Sequence, residues 1–192
     1  MTTKVKLANV RLFFPRVFTA EQYQGAGAYN YSAKFGVEPG SANHKAILAA
    51  IEEEGSKSFE KKWAAVKPMF QNDKKSYPYF DGATVDFDGA DGLFILTGKR
   101  KKEAGPVVVL DRNKQDVTEE QGLIYSGCYV HASIEIWGQN TAKGKGIRCT
   151  LRGIQFSKDG DSFGGGGRGS KDEFDDLSAD DEVGFDDDDL SN

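Results

Sequence analysis

The sequence predicts a mainly β domain, an antiparallel barrel with a helical insertion after its second strand, followed by a disordered acidic tail. Three observations give this prediction. Several segments alternate apolar and polar residues with the period of two that a strand requires. Helical spacing falls between the second and third of these segments. The last 22 residues hold 11 acidic side chains and one lysine, so the 192-residue chain divides into one folded domain and an appendage.

Two segments near the N-terminus predict the first two strands. Residues 4–14 alternate with one slip near Ala8-Asn9, and this slip predicts a β-bulge. Residues 28–37 alternate without interruption, which is typical of a strand with one buried face.

Helical spacing replaces the alternation after Pro39-Gly40. Ser41 is placed to cap a helix, and Gly55 is expected to interrupt that helix. Residues 58–66 predict a second, short helix that ends before Pro68.

The remaining strands are predicted at 79–87, with a turn at Asp81-Gly82, and at 93–97, 107–110, 123–137 and 146–156. Between them, residues 98–105 predict a basic loop and residues 139–146 a Gly/Lys loop.

Small residues on these later strands help to define the fold. Cys128 and Cys149 fall on the inward faces, where small apolar side chains are usual, and Gly153 marks a bulge or bend. Short strands with Gly-rich corners favour a small barrel. An oligonucleotide-binding barrel (OB-fold) fits best, although the pattern alone also allows a sandwich.

Composition argues against several classes of protein. No run of about 18 apolar residues is present to cross a membrane, and no apolar stretch follows the N-terminal charges as in a secretory signal. Two cysteines cannot form a disulfide framework, and two histidines leave little for a metal site. We therefore expect no cofactor, no metal and a reducing cytoplasm.

Enzyme motifs are weak. The chain has no nucleophile elbow, P-loop or dinucleotide fingerprint. Residues 86–92 begin like a calcium loop, but Thr97 stands where that loop needs a glutamate, so we interpret them as a turn. A metal-dependent nuclease would have to use Asp81, Asp86, Asp88 and Asp91, and it ranks well below the non-enzymatic interpretation.

The charge is partitioned along the chain. The formal net charge is −5, yet residues 1–170 hold 24 Lys+Arg and 19 Asp+Glu, a net of +5, whereas residues 171–192 have a net of −10. A basic body with an acidic tail predicts a polyanion-binding domain that carries its own anionic competitor.

Single-stranded nucleic acid is bound by cations along the phosphates and by aromatic rings that stack on bases. The sequence offers both kinds of residue in the body. The predicted phosphate contacts are Lys99, Arg100, Lys101, Lys102, Lys143, Lys145, Arg148 and Arg152. The predicted stacking residues are Tyr77, Tyr79, Phe80, Tyr129 and Trp137.

The C-terminal part of the chain is predicted to be a linker and a tail. We predict a binding domain at 1–160, a Gly-rich flexible linker at 161–170 and a disordered acidic tail at 171–192. Aromatic anchors among acids suit docking into a basic, apolar-lined pocket of a partner. The predicted partner-binding residues are Phe174, Phe185 and the run Asp186, Asp187, Asp188 and Asp189.

Four strings carry a family resemblance. They are the run Tyr125-Ser126-Gly127-Cys128-Tyr129, the Gly144-Lys145-Gly146 hairpin after it, the strand that ends Arg11-Leu12-Phe13-Phe14-Pro15, and the Asp81-Gly82 turn. With these strings the chain resembles a phage family of single-stranded DNA-binding proteins that was long known only as a domain of unknown function. The resemblance implies an OB-fold barrel that coats single-stranded DNA in phage replication and recombination, in the cytoplasm of the infected bacterium.

One departure concerns the tail. In phage and bacterial single-stranded DNA-binding proteins with this plan, the tail ends in an aromatic residue. Here the chain ends Leu190-Ser191-Asn192, and Phe185 precedes the last acidic run instead of following it. We expect the tail to act electrostatically and to recruit replication or recombination proteins. A protein-interaction module without direct DNA binding is the alternative, and a homo-oligomer is left open.

Overall fold

A computed structural model describes residues 2–163 of the chain. The predicted acidic tail and most of the predicted linker, residues 164–192, lie outside the described residues. The strands are β1 (Thr3–Tyr23), β2 (Ala26–Val37), β3 (Tyr79–Asp81), β4 (Phe94–Lys101), β5 (Val108–Leu110), β6 (Tyr129–Thr141) and β7 (Gly144–Lys158). The helices are α1 (Ala42–Phe59) and α2 (Trp63–Gln71), both inserted between β2 and β3.

Five of the strands close into a ring. β1 pairs with β2 and β6, β2 pairs with β4, and β6 pairs with β7, all antiparallel. A parallel pairing of Lys99 with Thr150 joins β4 to β7 and completes the ring. This arrangement confirms a mainly β, OB-like barrel with a helical insertion after the second strand. The sheet is not wholly antiparallel, because both the β4–β7 and the β5–β7 pairings are parallel.

Strand β1 is longer than predicted and is bent by irregularities. Its register to β6 shifts between Leu7 and Val10, and Asn9 takes a positive φ of 52°. The predicted bulge near Ala8-Asn9 is therefore confirmed. Beyond residue 14 the strand continues to Tyr23, with further register shifts against β2. Such shifts bend a strand, so one 21-residue strand can pair on both of its sides.

Tertiary packing extends both helices beyond the boundaries that local sequence predicts. Ser41 caps α1 as expected, since its Oγ accepts a 3.2 Å hydrogen bond from the His44 amide. The helix continues through Gly55. A Cβ there would overlap the indole of Trp63, so glycine lets the indole pack against α1. Helix α2 likewise runs through Pro68. The predicted interruption and the predicted early end are both wrong.

Two predicted loops are also largely strand. Gly98 to Lys101 belong to β4, and only residues 102–104 form a 3₁₀ turn, so the basic loop at 98–105 is wrong. Gly98 lies against β7, where a Cβ would be in ordinary van der Waals contact with that of Leu151 at 3.4 Å. The predicted loop at 139–146 shrinks to residues 142–143, the tip of the β6–β7 hairpin.

The main core fills the ring and the space under α1. Cys128 and Cys149 are buried, as predicted. The fully buried side chains include Leu12, Phe35, Leu96, Ile134 and Leu151 from the strands and Ile47 and Ile51 from α1. Within residues 2–163, no helix is long and apolar enough to cross a membrane.

Candidate nucleic-acid interface

A row of paired residues crosses the outside of the ring. Glu135 of β6 pairs with Thr150 of β7, Thr150 pairs with Lys99 of β4, and Lys99 pairs with Ser32 of β2. Directly paired residues share one face of a sheet, so these four side chains lie on the same outer surface. The row therefore joins four neighbouring strands into one exposed surface.

Cations surround this row. Side chains two residues apart on a strand point the same way, which places Arg148 and Arg152 on either side of Thr150, and Lys101 beyond Lys99. Lys34 lies two residues from Ser32 on β2. We call this set the basic face, formed by Lys34, Lys99, Lys101, Arg148 and Arg152. The fold thus brings together members of two basic groups that are about 50 residues apart in sequence.

Lys34 shows how closely the positive charges are packed. Its Nζ donates a 3.2 Å hydrogen bond to the Thr97 hydroxyl. Burial lowers the pKa of Lys34 below its ordinary value, and the nearby charges of Lys99 and Lys74 lower it further. Like charges held together at the cost of desolvation leave a positive potential that an anion would relieve.

Few carboxylates neutralise the basic face. Among residues 2–163, Arg152 is the one member of the basic face with an ion pair, which it makes with Glu135. Arg148 is instead held by a neutral group, since its Nε donates to Gln139 Oε1 at 3.0 Å. Burial lowers the pKa of Arg148, and a more distant Asp73 opposes the shift. The guanidinium is therefore positioned by hydrogen bonds without losing its net charge.

Trp137 adds an aromatic ring to this surface. It pairs with Arg148 across β6 and β7 and is half-buried. Its Nε1 donates a 3.0 Å hydrogen bond to the hydroxyl of Thr150, in the centre of the row. This bond fixes the indole among the cations. Phe80, also half-buried, has the Lys74 ammonium 5.9 Å from its ring centroid.

Two predicted stacking residues belong to the core instead. Tyr77 and Tyr79 are only 3% and 4% exposed. The hydroxyl of Tyr79 lies 2.7 Å from His44 Nδ1, and burial raises the pKa of both phenols. Neither ring has a face open to a base, because the helical insertion and β4 cover this segment. The stacking prediction is corrected for these two residues.

Tyr129 lies away from the basic face. It is eight residues from Trp137 on β6, about 26 Å along an extended strand. Its ring already has two cationic neighbours, the Arg11 guanidinium at 5.1 Å and the Lys158 ammonium at 4.7 Å from its centroid. The structure does not bring this predicted stacking residue together with Trp137.

The other predicted cations lie around the basic face. Arg100 pairs with the buried Tyr31, and its Nε donates to the carbonyl of Gly105 at 2.8 Å, so it ties down the 3₁₀ turn. Lys102, within that turn, has its ammonium 5.3 Å from the ring of Tyr29. Lys143 and Lys145 are exposed at the β6–β7 hairpin, next to Arg148. Arg100 thus serves the fold and does not point to the basic face.

Sequence reasoning missed three residues of interest. Lys34 lies within the predicted strand at 28–37. The alternation of that segment does not show that it pairs with β4 and so brings Lys34 near Lys99. Tyr23 and Tyr29, on the β1–β2 hairpin, are 72% and 49% exposed. Alternation within 28–37 places Tyr29 on the same side as the buried Tyr31 and Phe35, yet Tyr29 is exposed because the hairpin extends past the covered part of the barrel.

Comparison with known proteins gives a family. The family model described as "Enterobacter phage Enc34, ssDNA-binding protein" matches residues 3–184. Putative protein p50 of Acyrthosiphon pisum secondary endosymbiont phage 1 is 39% identical over 181 residues, which cover 91% of this chain and 94% of p50.

Solved structures give the same fold. The single-stranded DNA-binding protein from bacteriophage Enc34 in complex with ssDNA matches with a TM-score of 0.65 and 23% identity, over 84% of this chain and 89% of that chain. The same phage protein in another structure matches with a TM-score of 0.63 and 25% identity, over 88% of both chains. The single-stranded DNA-binding protein gp2.5 of bacteriophage T7 matches with a TM-score of 0.56 and 15% identity, over 83% of this chain and 93% of that chain.

Proposed function

The chain belongs to the family of the Enc34 single-stranded DNA-binding protein, and from this premise we propose that it binds single-stranded DNA without sequence specificity through the basic face. It coats and protects unpaired strands during phage replication and recombination, in the cytoplasm of the infected bacterium, and it is not an enzyme. The observation that carries the proposal is the basic face itself, where five cations and Trp137 share one surface with a single paired carboxylate.

Phosphates supply most of the affinity in this proposal. Lys34, Lys99 and Arg148 lie on three neighbouring strands, so a sugar–phosphate backbone crossing the ring meets them in turn. Each neutralised phosphate releases condensed counterions, so affinity falls as salt rises. Lys101 and Arg152 extend the path along the strands, and Lys143 and Lys145 extend it to the hairpin tip.

Bases stack on the indole of Trp137 and on Phe80. Every base has a π-face, so stacking requires no particular sequence. Bases within a duplex are already stacked on each other and cannot offer a free face to a ring. This difference gives the preference for single strands.

The acidic tail is proposed to compete with DNA. Residues 171–192 carry a net charge of −10, opposite in sign to the basic face. When DNA displaces the tail, Phe174, Phe185 and residues 186–189 become available to dock on replication or recombination proteins.

Deletion of residues 171–192 tests the competition. A labelled oligonucleotide is titrated into the full chain and the truncated chain at two salt concentrations. We expect the truncated chain to bind more tightly, with the larger gain at low salt, because the competing charges are gone and screening is weak. Equal affinities at low salt would remove the idea of self-competition.

A competition assay tests the proposed function as a whole. Labelled oligo(dT) is bound at physiological salt and challenged with single-stranded DNA, duplex DNA and RNA. We expect unlabelled single-stranded DNA to compete best. A protein-interaction module would not retard oligo(dT) in a gel. Substitution of Arg148 and Arg152 would then leave the function of the module unaffected.

A further inference from the structure

Phe163, the last described residue, packs against the barrel. Phe163 lies parallel to Phe13, with ring centroids 4.9 Å apart and an interplanar angle of 3°. The Arg11 guanidinium carbon is 4.2 Å from the Phe163 centroid. A Cβ at Gly89 would overlap the ring, so the glycine leaves room for it. We call Arg11, Phe13 and Gly89 the aromatic seat.

The aromatic seat adjoins the basic face. Phe13 of β1 pairs directly with Lys34 of β2, so both side chains lie on the same outer surface of the ring. A strand of DNA that crosses Lys99 and Lys34 and continues in the same direction therefore reaches the seat next.

The chemistry of the aromatic seat suits a nucleobase. A phenyl ring and a guanidinium plane are among the groups on which proteins stack unpaired bases. Phe163 is also only partly buried, although it packs against the apolar cluster of Phe13, Ala90 and Ile95.

Residues 161–163 are attached by a small number of contacts. The Asp161 carbonyl accepts a 2.8 Å hydrogen bond from Arg11 Nη2, and the Phe163 amide donates one of 3.2 Å to the carbonyl of Ser126. Just before them, the Tyr125 hydroxyl donates to Asp159 at 2.7 Å. Release of Phe163 would thus free the chain from about residue 161 and leave the Tyr125 contact in place.

We propose that the aromatic seat is a stacking site for a base of bound single-stranded DNA, and that Phe163 fills this site until a base replaces it. The inference rests on the proposed function and adds a site to it. Base binding at the seat and release of Phe163 are linked, so each favours the other.

Phe163→Ala in the full chain tests the exchange. We expect the affinity for labelled oligo(dT), measured by fluorescence anisotropy, to rise about fivefold, because the fraction of molecules with a free seat rises. Phe14→Ala is the matched control, since Phe14 is 42% exposed and contacts Phe87 near the seat without lining it. Lower thermal stability with unchanged affinity would make Phe163 an ordinary packing residue and overturn the inference.

A fluorine label at residue 163 gives a second, independent measurement. With 4-fluorophenylalanine at this position, saturating oligo(dT) is expected to move the ¹⁹F resonance to its solvent-exposed value. The same label at the buried Phe59 should not move. If oligo(dT) binds normally and the residue-163 resonance stays in place, the inference fails alone. If oligo(dT) does not bind at all, the proposed function fails with it.

Discussion

The basic face and the helical insertion both contain lysines, but in opposite surroundings. On the insertion, Lys57 contacts Glu53 and Glu54, and Lys67 contacts Glu52. The hydrogen bond that Lys57 donates to Glu53 raises the pKa of Lys57, whereas burial and neighbouring cations lower the pKa of Lys34 on the basic face. A cation that is paired with a carboxylate of the fold is already neutralised. A cation that lies among other cations without such a partner remains available to a phosphate.

Removing two cations from each region tests this difference with the largest expected effect. Lys99→Ala/Arg148→Ala removes two phosphate contacts. For single strands each contact contributes about 0.7 log units of affinity for every tenfold decrease in salt below 1 M, so the double variant should bind about 25-fold more weakly at 0.1 M salt. The slope of log affinity against log salt should become shallower by about 1.4. Anisotropy titrations with oligo(dT) at several salt concentrations measure both.

Lys57→Ala/Lys67→Ala is the matched control on the insertion. It removes the same formal charge from the chain but only cations that already have carboxylate partners. We expect an unchanged salt slope. Equal losses in the two double variants would mean that net charge, and not the basic face, determines binding.

Trp137→Ala should have the next largest effect. Loss of one stacked base costs about 1.4 kcal/mol, at the lower end of the usual range, or about tenfold in affinity. Trp137→Phe retains a π-face and should recover most of the binding. If the alanine variant binds oligo(dT) as tightly as the parent chain does, stacking at this position is excluded.

Lys34→Met should separate stability from binding. The methionine keeps the aliphatic stem and removes a charge that is both desolvated and repelled by Lys99. We expect the melting temperature to rise by about 2 °C, while oligo(dT) affinity falls about fivefold. Calorimetry and anisotropy on the same preparation check the opposite signs. A fall in both would show that the Lys34 charge stabilises the fold.

The same residue predicts a pH dependence. The folded chain holds the Lys34 proton less tightly than the unfolded chain, whose pKa is near 10.5. The unfolded state therefore binds more protons between the two pKa values, and the Lys34 contribution to stability rises with pH there. DNA favours the protonated form, so affinity falls as pH rises through the lowered pKa. Lys34→Met should lack both trends in thermal melts and oligo(dT) titrations across this range.

Glu135→Gln should give the smallest effect. The carboxylate pairs with Arg152 at the β6 edge of the basic face, and exposed ion pairs contribute at most about 1 kcal/mol. Its removal frees Arg152 and takes away a negative charge from the DNA path, so affinity should rise about twofold to threefold in the same titration. A weaker complex would mean that Glu135 positions Arg152 for binding.

Local patterns predict the parts of this molecule that depend on local structure. Alternation identifies the inward faces of Cys128 and Cys149, and the slip near Asn9 identifies the bulge, because both are properties of a single strand. Gly98 and the lysines after it were assigned to a loop by composition. They form a strand because β2 pairs with all four residues 98–101 from about 70 residues away, and β7 pairs with Lys99 on the other side.

The candidate site depends on contacts that sequence patterns do not contain. Lys34 and Lys99 become neighbours through the β2–β4 register. Tyr79 and Phe80 are adjacent in β3 and point to opposite sides of the sheet, and the packing of distant residues decides which side is covered. The fold class was therefore predicted more fully than the site.

Photo-cross-linking to an oligonucleotide with 5-iododeoxyuridine tests the central claim most directly. The chain has two tryptophans, Trp137 on the basic face and Trp63 on the helical insertion, where it is 5% exposed and bonded to Glu52. We expect mass spectrometry to find the cross-linked base on Trp137 and none on Trp63. Bound oligonucleotide with cross-links confined to the helical insertion would contradict the account.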